Sequence, residues 1–298
     1  MPHDPCFAML YGDLKTGKTS DALAAFPGAA YVAAPGALAS AESLWGIPEP
    51  KAHDLGTFKE IREFGEKLPP GTIALVVDDA TLIADRTGIY FRDVKHFGGF
   101  DLWGAVLNSA IKMRDSLRRR GIHVVMTSHA GGAYVENGIR HRGGPSFQGQ
   151  ARKKLPAAAD LLLRAEQRPG DGFGWPIVYR TAPHPDWLQG SRYGTPDLCP
   201  MNLGEILRLA GFKIPRLKGL EWQDEVAGKI AVAVGGVLVA GGEGTGEKIK
   251  GILAFARDWA TKKFSQDQRH VFWALRDGYD RAVLRFAAHS QRNGLWGF

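Results

Sequence analysis

The chain has 298 residues, 44% of them apolar, enough for one large domain, or one domain and a small appendage, around a sizeable core. Its formal net charge of +7 and isoelectric point near 9.4 suit a polyanionic partner. Cys6 and Cys199 are the only cysteines, which excludes a disulfide framework and a cysteine-built metal site and fits a reducing cytoplasm. Met1-Pro2-His3-Asp4-Pro5 has neither a basic start nor a long apolar segment, so no signal peptide is expected. The longest apolar run, residues 230–240, is shorter than the roughly 20 residues a bilayer requires, so no membrane partner is expected.

Residues 7–11 form a short apolar run that reads as a buried strand, and residues 19–26 read as a helix stopped by Pro27-Gly28. Between them lies Gly12-Asp13-Leu14-Lys15-Thr16-Gly17-Lys18-Thr19, which matches the phosphate-binding pattern G-x-x-x-x-G-K-[ST] in its required strand–loop–helix context. Gly12 and Gly17 let backbone N–H groups approach phosphate oxygens. Lys18 offers a point charge to the β- and γ-phosphates, and Thr19 offers a hydroxyl to Mg²⁺. The helix start, with Ser20 following, adds its positive dipole end. ATP and Mg²⁺ are the ligands this loop implies.

Further strands are expected at residues 29–34, 72–77, 122–126, 159–164 and 176–181. Helices are expected from Thr57, from about 102 to 120, and over 202–210 with a stop at Gly211. Fully apolar strands separated by helices predict an α/β fold with a mainly parallel sheet covered on both faces. Residues 215–219 look like a linker. Beyond them two helices, 247–264 and 265–289, are expected, the second opening on the capping-box pair Ser265 and Gln268. Phe272, Leu275, Tyr279, Val283 and Phe286 make a stripe suited to a core or a partner helix. The run 230–240 reads as a buried helix or strand of this small unit. Residues 241–248 resemble a second phosphate loop but lack its Gly-Lys-[ST] ending, and read as a flexible joint. Two domains follow: residues 1–216 and a helical domain, 217–298.

Asp78 ends an apolar strand, where it can hold Mg²⁺ through water across the sheet's carboxyl edge. Its neighbour Asp79 can polarise the attacking water or cap the next helix. Glu42 is the other candidate base. Thr127-Ser128-His129 ends a further strand, where His129 can sense the γ-phosphate or be a structural histidine. Residues 134–154 carry Arg140, His141, Arg142, Arg152, Lys153 and Lys154 among Tyr134, Phe147 and glycines. Such interleaving suits single-stranded nucleic acid, with cations tracking phosphates and rings stacking bases, or a solvated loop. Arg140 or Arg142 could also act across a subunit boundary as an arginine finger. Arg118-Arg119-Arg120 reads first as a helix C-terminal cap and second as a DNA contact.

These residues give the chain a resemblance to the RecA-like phosphate-loop ATPases of phages and prophages, a group with phage nucleotide-binding proteins and short RecA-like single-strand annealing proteins. The resemblance spans about residues 5–216 and rests on residues 11–19, 75–79 and 126–129, with support from 144–149, 155–156, 160–164 and 200–207. It implies a RecA-type core that binds ATP and Mg²⁺, often between subunits, and works on single-stranded DNA in phage recombination or replication. A homo-oligomer in the cytoplasm of a bacterial host is therefore expected, with the terminal helices free to recruit a replication or recombination protein. RecA-type cores usually carry a catalytic Glu near the end of the second strand. Here that place is Ala34-Pro35, with Glu42 the nearest acid. Slow hydrolysis, substitution by Asp79, or a nucleotide-dependent switch with little turnover all fit this departure. A packaging motor or helicase fits less well, because no acidic nuclease cluster is evident.

Overall fold

The computed structural model describes residues 5–39, 49–136, 138–167, 177–214, 221–264 and 268–292. Glu42, Ser265, the side chains of Gln268 and Phe272, and the expected linker 215–219 lie outside the described residues or side chains. In chain order come β1 (Phe7–Gly12), α1 (Lys18–Ala25), β2 (Ala30–Ala33), β3 (Ala52–His53), α2 (Phe58–Glu66), β4 (Ala74–Asp78), α3 (Ala80–Asp93) and α4 (Gly99–Arg119). They are followed by β5 (His123–Gly131), β6 (Tyr134–Glu136), β7 (Ile139–His141), β8 (Gly144–Pro145), α5 (Ala151–Ala157), β9 (Leu161–Gln167), β10 (Ile177–Arg180), β11 (Gly190–Ser191) and β12 (Leu198–Pro200). The chain closes with α6 (Leu203–Leu209), α7 (Glu221–Ala240), α8 (Thr245–Phe264) and α9 (Gln268–Arg292).

The main sheet runs β12-β10-β9-β1-β5-β4-β2-β3. Every pair from β9 through β1, β5, β4 and β2 to β3 is parallel, and the β9–β10–β12 edge is antiparallel. Strands buried on both faces must be apolar throughout, and β1 is buried at every position. Its side chains alternate between two cores. Ala8 and Leu10 pack with Ala22 and Leu23 of α1 and Leu203, Ile206 and Leu207 of α6. Phe7, Met9 and Tyr11 pack with Phe58 and Ile61 of α2, Ile83 of α3, and Val106, Met113 and Leu117 of α4.

Local chemistry sets several element ends. Thr57 and Glu60 form a reciprocal capping box on α2. Arg120 donates to the carbonyls of Gly65 in the last turn of that helix and Leu68 just beyond it, and Arg118 pairs with Asp160 at 3.3 Å. Structural roles thus occupy two members of the Arg118–Arg120 triplet. The glycine-rich stretch after residue 130 is more ordered than a solvated loop. β5 runs on to Gly131 and pairs with β8, and β6 and β7 form a hairpin. Arg152, Lys153 and Lys154 sit on the short helix α5 rather than in a loop.

Three helices, α7 to α9, share a core of their own that includes Val226, Ile230, Val234, Ile249, Ala260, Val271, Ala274 and Leu275. Of the expected stripe, Leu275 is buried there and Tyr279 packs against it. The apolar run 230–240 is helical but buried on one face only: Val232 and Val239 are 75% and 74% exposed. Helix α9 also reaches the sheet domain, where Leu284 joins the α1–α6 core. Asn202 donates to Asp277 and Asp280, both at 3.0 Å, and Arg281 bridges Glu205 and Asp224 at 3.0 Å each.

Candidate functional site

The loop between β1 and α1 is held by its own sequence. An added Cβ at Gly12 would lie 2.6 Å from the Ala165 carbonyl oxygen on β9, and Gly17 turns at φ 78°. Gly17 is also the N-cap of α1 and offers no side chain to the helix start, so the dipole end faces the loop without a capping group. Lys15 adopts φ 60°, and Leu14 is 72% exposed at the tip. Lys18 is buried and folds back onto the loop, donating to Gly12 O at 3.0 Å, Asp13 O at 2.7 Å and Thr16 Oγ1 at 3.1 Å. Burial pushes its pKa below the ordinary lysine value, against the opposing charges of Asp78, Asp13 and Asp79.

Strand β5 lies between the loop strand β1 and the carboxylate strand β4. Register sets Gly12 beside His129 and Leu10 beside Thr127. The Asp78 carboxylate is reached from two sides: Thr19 Oγ1 donates to Oδ2 at 2.9 Å, and Thr127 donates to Oδ1. Burial raises the Asp78 pKa, while these two hydroxyl donors pull it down. Thr19 and Asp78 together offer the hard oxygen donors that suit Mg²⁺, which would take its other ligands from phosphate and water. Among the described residues no group of three or more His, Cys, Asp or Glu gathers to hold a metal.

Of the two alternatives that the sequence leaves open for Asp79, the structure shows the cap. Its Oδ1 accepts from Leu82 N at 2.8 Å and caps α3, while its Oδ2 lies 2.8 Å from His129 Nε2. His129 is partly exposed at the sheet's carboxyl edge. Thr81, which the sequence did not single out, bonds Ser128 Oγ at 3.0 Å and accepts from His129 N at 3.3 Å. It fixes the end of β5, and no sequence motif marks it. Asp21, on α1 beyond Ser20, is likewise unmarked. It is buried, accepts from Tyr179 Oη at 2.8 Å and Leu203 N at 3.0 Å, and burial raises its pKa.

The candidate nucleic-acid residues are drawn into local contacts. Arg140 pairs with Asp186 at 2.6 Å, and Arg142 reaches His184 O at 3.4 Å. Arg152 stacks 3.5 Å over the Tyr134 ring and donates to Gly132 O at 2.6 Å. Lys153 pairs with Glu136 at 3.2 Å, and Lys154 donates to Gln150 at 2.8 Å. Phe147 corrects the expectation of an exposed ring: it is 4% exposed and belongs to the core under α4. A large aromatic beside a helix start is drawn inward by the area it buries.

A family model described as an AAA domain matches residues 5–193. The chain belongs to that AAA-domain family. This domain is that of a nucleotide-binding P-loop NTPase, and the mixed α/β architecture with its mostly parallel central sheet agrees. No curated protein matches the chain. Among the described residues, no helix of this AAA-domain protein is long and apolar enough to cross a membrane.

Proposed function

We propose that this AAA-domain protein is a Mg²⁺-dependent ATPase of RecA-like phage type, acting on single-stranded DNA in recombination or replication. The observation that carries the hydrolytic reading is the Asp79–His129 contact of 2.8 Å, set beside the Thr19–Asp78 contact of 2.9 Å. The loop N–H groups and Lys18 hold the triphosphate, with Lys18 exchanging loop carbonyls for phosphate oxygens. Thr19, and Asp78 through water, would hold Mg²⁺, which would supply charge neutralisation for the triphosphate. Asp79 orients the attacking water and accepts its proton. His129, tied to Asp79, reads the state of the γ-phosphate. Residues 1–216 form the ATPase unit and the terminal helices an assembly or recruitment unit, within a cytoplasmic homo-oligomer.

A second reading, a nucleotide-dependent switch with little turnover, has one observation in its favour. Both Asp79 oxygens already have partners, and the residues after β2 are Ala34-Pro35 instead of an acid. Steady-state ATP turnover, measured with and without a single-strand titration, separates the two. DNA-stimulated turnover supports the ATPase, and binding without turnover supports the switch. Lys18→Ala should lower ATP affinity and turnover by at least about tenfold, since it removes a charge-assisted contact to the phosphates. Unchanged ATP affinity in that variant would overturn the site assignment.

A further inference from the structure

A groove of about 700 Å³ opens between the first turn of α4, strand β6 and the start of α5. Its walls are aromatic. Phe100 is 83% exposed, unusual for so large an apolar side chain, and stands three residues before Trp103 on the same helix face. Trp103 is a fixed wall, packed against Gly88 of α3 and against Gly149, where an added Cβ would overlap its ring. Tyr134 lines the same groove, with the Arg152 guanidinium stacked on its ring.

Charge favours one kind of occupant. Arg152 and Lys153 line the groove against the single acid Glu136, and the same segment, residues 134–154, carries Arg140, Arg142 and Lys154 with no further acid. An apolar peptide or a second copy of the chain would want the rings but not this excess of cations. A single-stranded nucleic acid wants both, since every base has a face to stack and every nucleotide a phosphate to neutralise. The groove is also tied to His129 by a short path through one backbone hydrogen bond. Ser146 N donates to His129 O at 2.8 Å, and the next residues, Phe147 to Gly149, line the groove. Gln148 Nε2 reaches Asp85 on α3, the helix that Asp79 caps, at 3.3 Å.

We propose that this groove takes unstacked bases of a single strand, with Phe100 as the exposed stacking ring, and that the Ser146–His129 bond links an occupied groove to the γ-phosphate end of the ATP site. The proposal rests on the reading above that the partner is single-stranded DNA, and it names the surface that does the binding. The test is fluorescence anisotropy of labelled oligo(dT) with the full chain, over a range of salt. Phe100→Ala should weaken binding on the order of tenfold, the effect of removing a base-stacking ring. The slope of log affinity against log salt should stay as in the wild type, because a ring releases no counterions. Phe100→Tyr should restore affinity to within about twofold. The side chain is so exposed that thermal melting should not change, and a melting check distinguishes lost binding from lost fold. If the wild type binds oligo(dT) and Phe100→Ala binds equally well, the groove is overturned while the DNA reading stands. If the wild type binds no oligo(dT) at low salt, both fall. If Phe100→Ala instead dissociates an oligomer and leaves oligo(dT) affinity intact, the groove is a contact between copies of the chain and the proposal is overturned.

Discussion

Asp79 gives one carboxylate oxygen to the N-terminus of α3 and the other to His129, and a single substitution can separate the two roles. Asn is as good a helix cap as Asp, so Asp79→Asn should leave thermal stability within about 0.5 kcal/mol of wild type. An amide has one acceptor oxygen, and the cap takes it. It cannot accept a proton from water, so ATP turnover should fall by roughly 10²-fold or more while ATP affinity is kept. Wild-type turnover in that variant would leave Asp79 a helix cap alone. At this scale the sequence was readable wherever chemistry is contiguous in the chain. Gly12 to Thr19 announce themselves as a motif, and Asp78 follows an apolar strand that only a sheet can hold. Thr81, Asp21 and Tyr179 act on neighbours far away in sequence, so no spacing reveals them. The burial of Phe147 is hidden from the sequence for a related reason. An aromatic in a glycine-rich stretch has no periodicity to say which way it points, and the core under α4 decides.

The elements follow the same division. Strands β1, β4 and β5 could be read because burial on both faces demands continuous apolar runs, and α4 because its buried residues Val106, Ala110, Met113 and Leu117 recur at helical spacing. The insertion of β5 between β1 and β4 was not readable, since strand order is set by crossover connections rather than by composition. The hairpin β6–β7 and helix α5 are too short for either period to register. Helix α2 offers the cleanest test of a local signal. Thr57 Oγ1 accepts from Glu60 N at 3.2 Å, and Glu60 Oε2 accepts from Thr57 N at 2.9 Å. Thr57→Ala should destabilise the domain by about 1 kcal/mol in denaturant unfolding, and Thr57→Ser should recover most of it. Equal midpoints for Ala and Ser would mean that packing of Phe58 and Ile61, not the cap, holds this helix end.

At the scale of the whole molecule, a chain of buried and part-buried polar contacts joins the terminal helices to α1, the helix that follows the phosphate loop. Asn202, which caps α6, donates to Asp280 of α9, and the next residue, Leu203, donates its N–H to Asp21 of α1. Arg276 of α9 donates to the Met201 carbonyl, and an added Cβ at Gly17 in the loop would lie 3.7 Å from the Met201 side chain. Asp280 is fully buried, and burial pushes its pKa from 3.8 to about 7. Arg276 and Asn202 pull it down, while Asp277 on its own helix and Asp21 on α1 push it up. The folded chain therefore holds a proton that the unfolded chain releases above about pH 4. Between that pH and about 7 the folded state binds more protons than the unfolded state, so stability falls as pH rises through this window. Asp280→Asn keeps an acceptor for Asn202 and never ionises. Its melting temperature should fall less than that of wild type between pH 5 and pH 8, by a few degrees in differential scanning calorimetry. Asp21 contributes a slope of the same sign, and because its charge acts on Asp280 the difference between the two profiles reads Asp280 together with that coupling. If the terminal helices steady the loop through this joint, ATP affinity of the wild type should also weaken toward pH 8 more than that of Asp280→Asn. Parallel melting profiles would remove Asp280 as the source of the pH dependence. Divergent melting with parallel ATP affinities would leave Asp280 a stability residue and detach the helices from the nucleotide site.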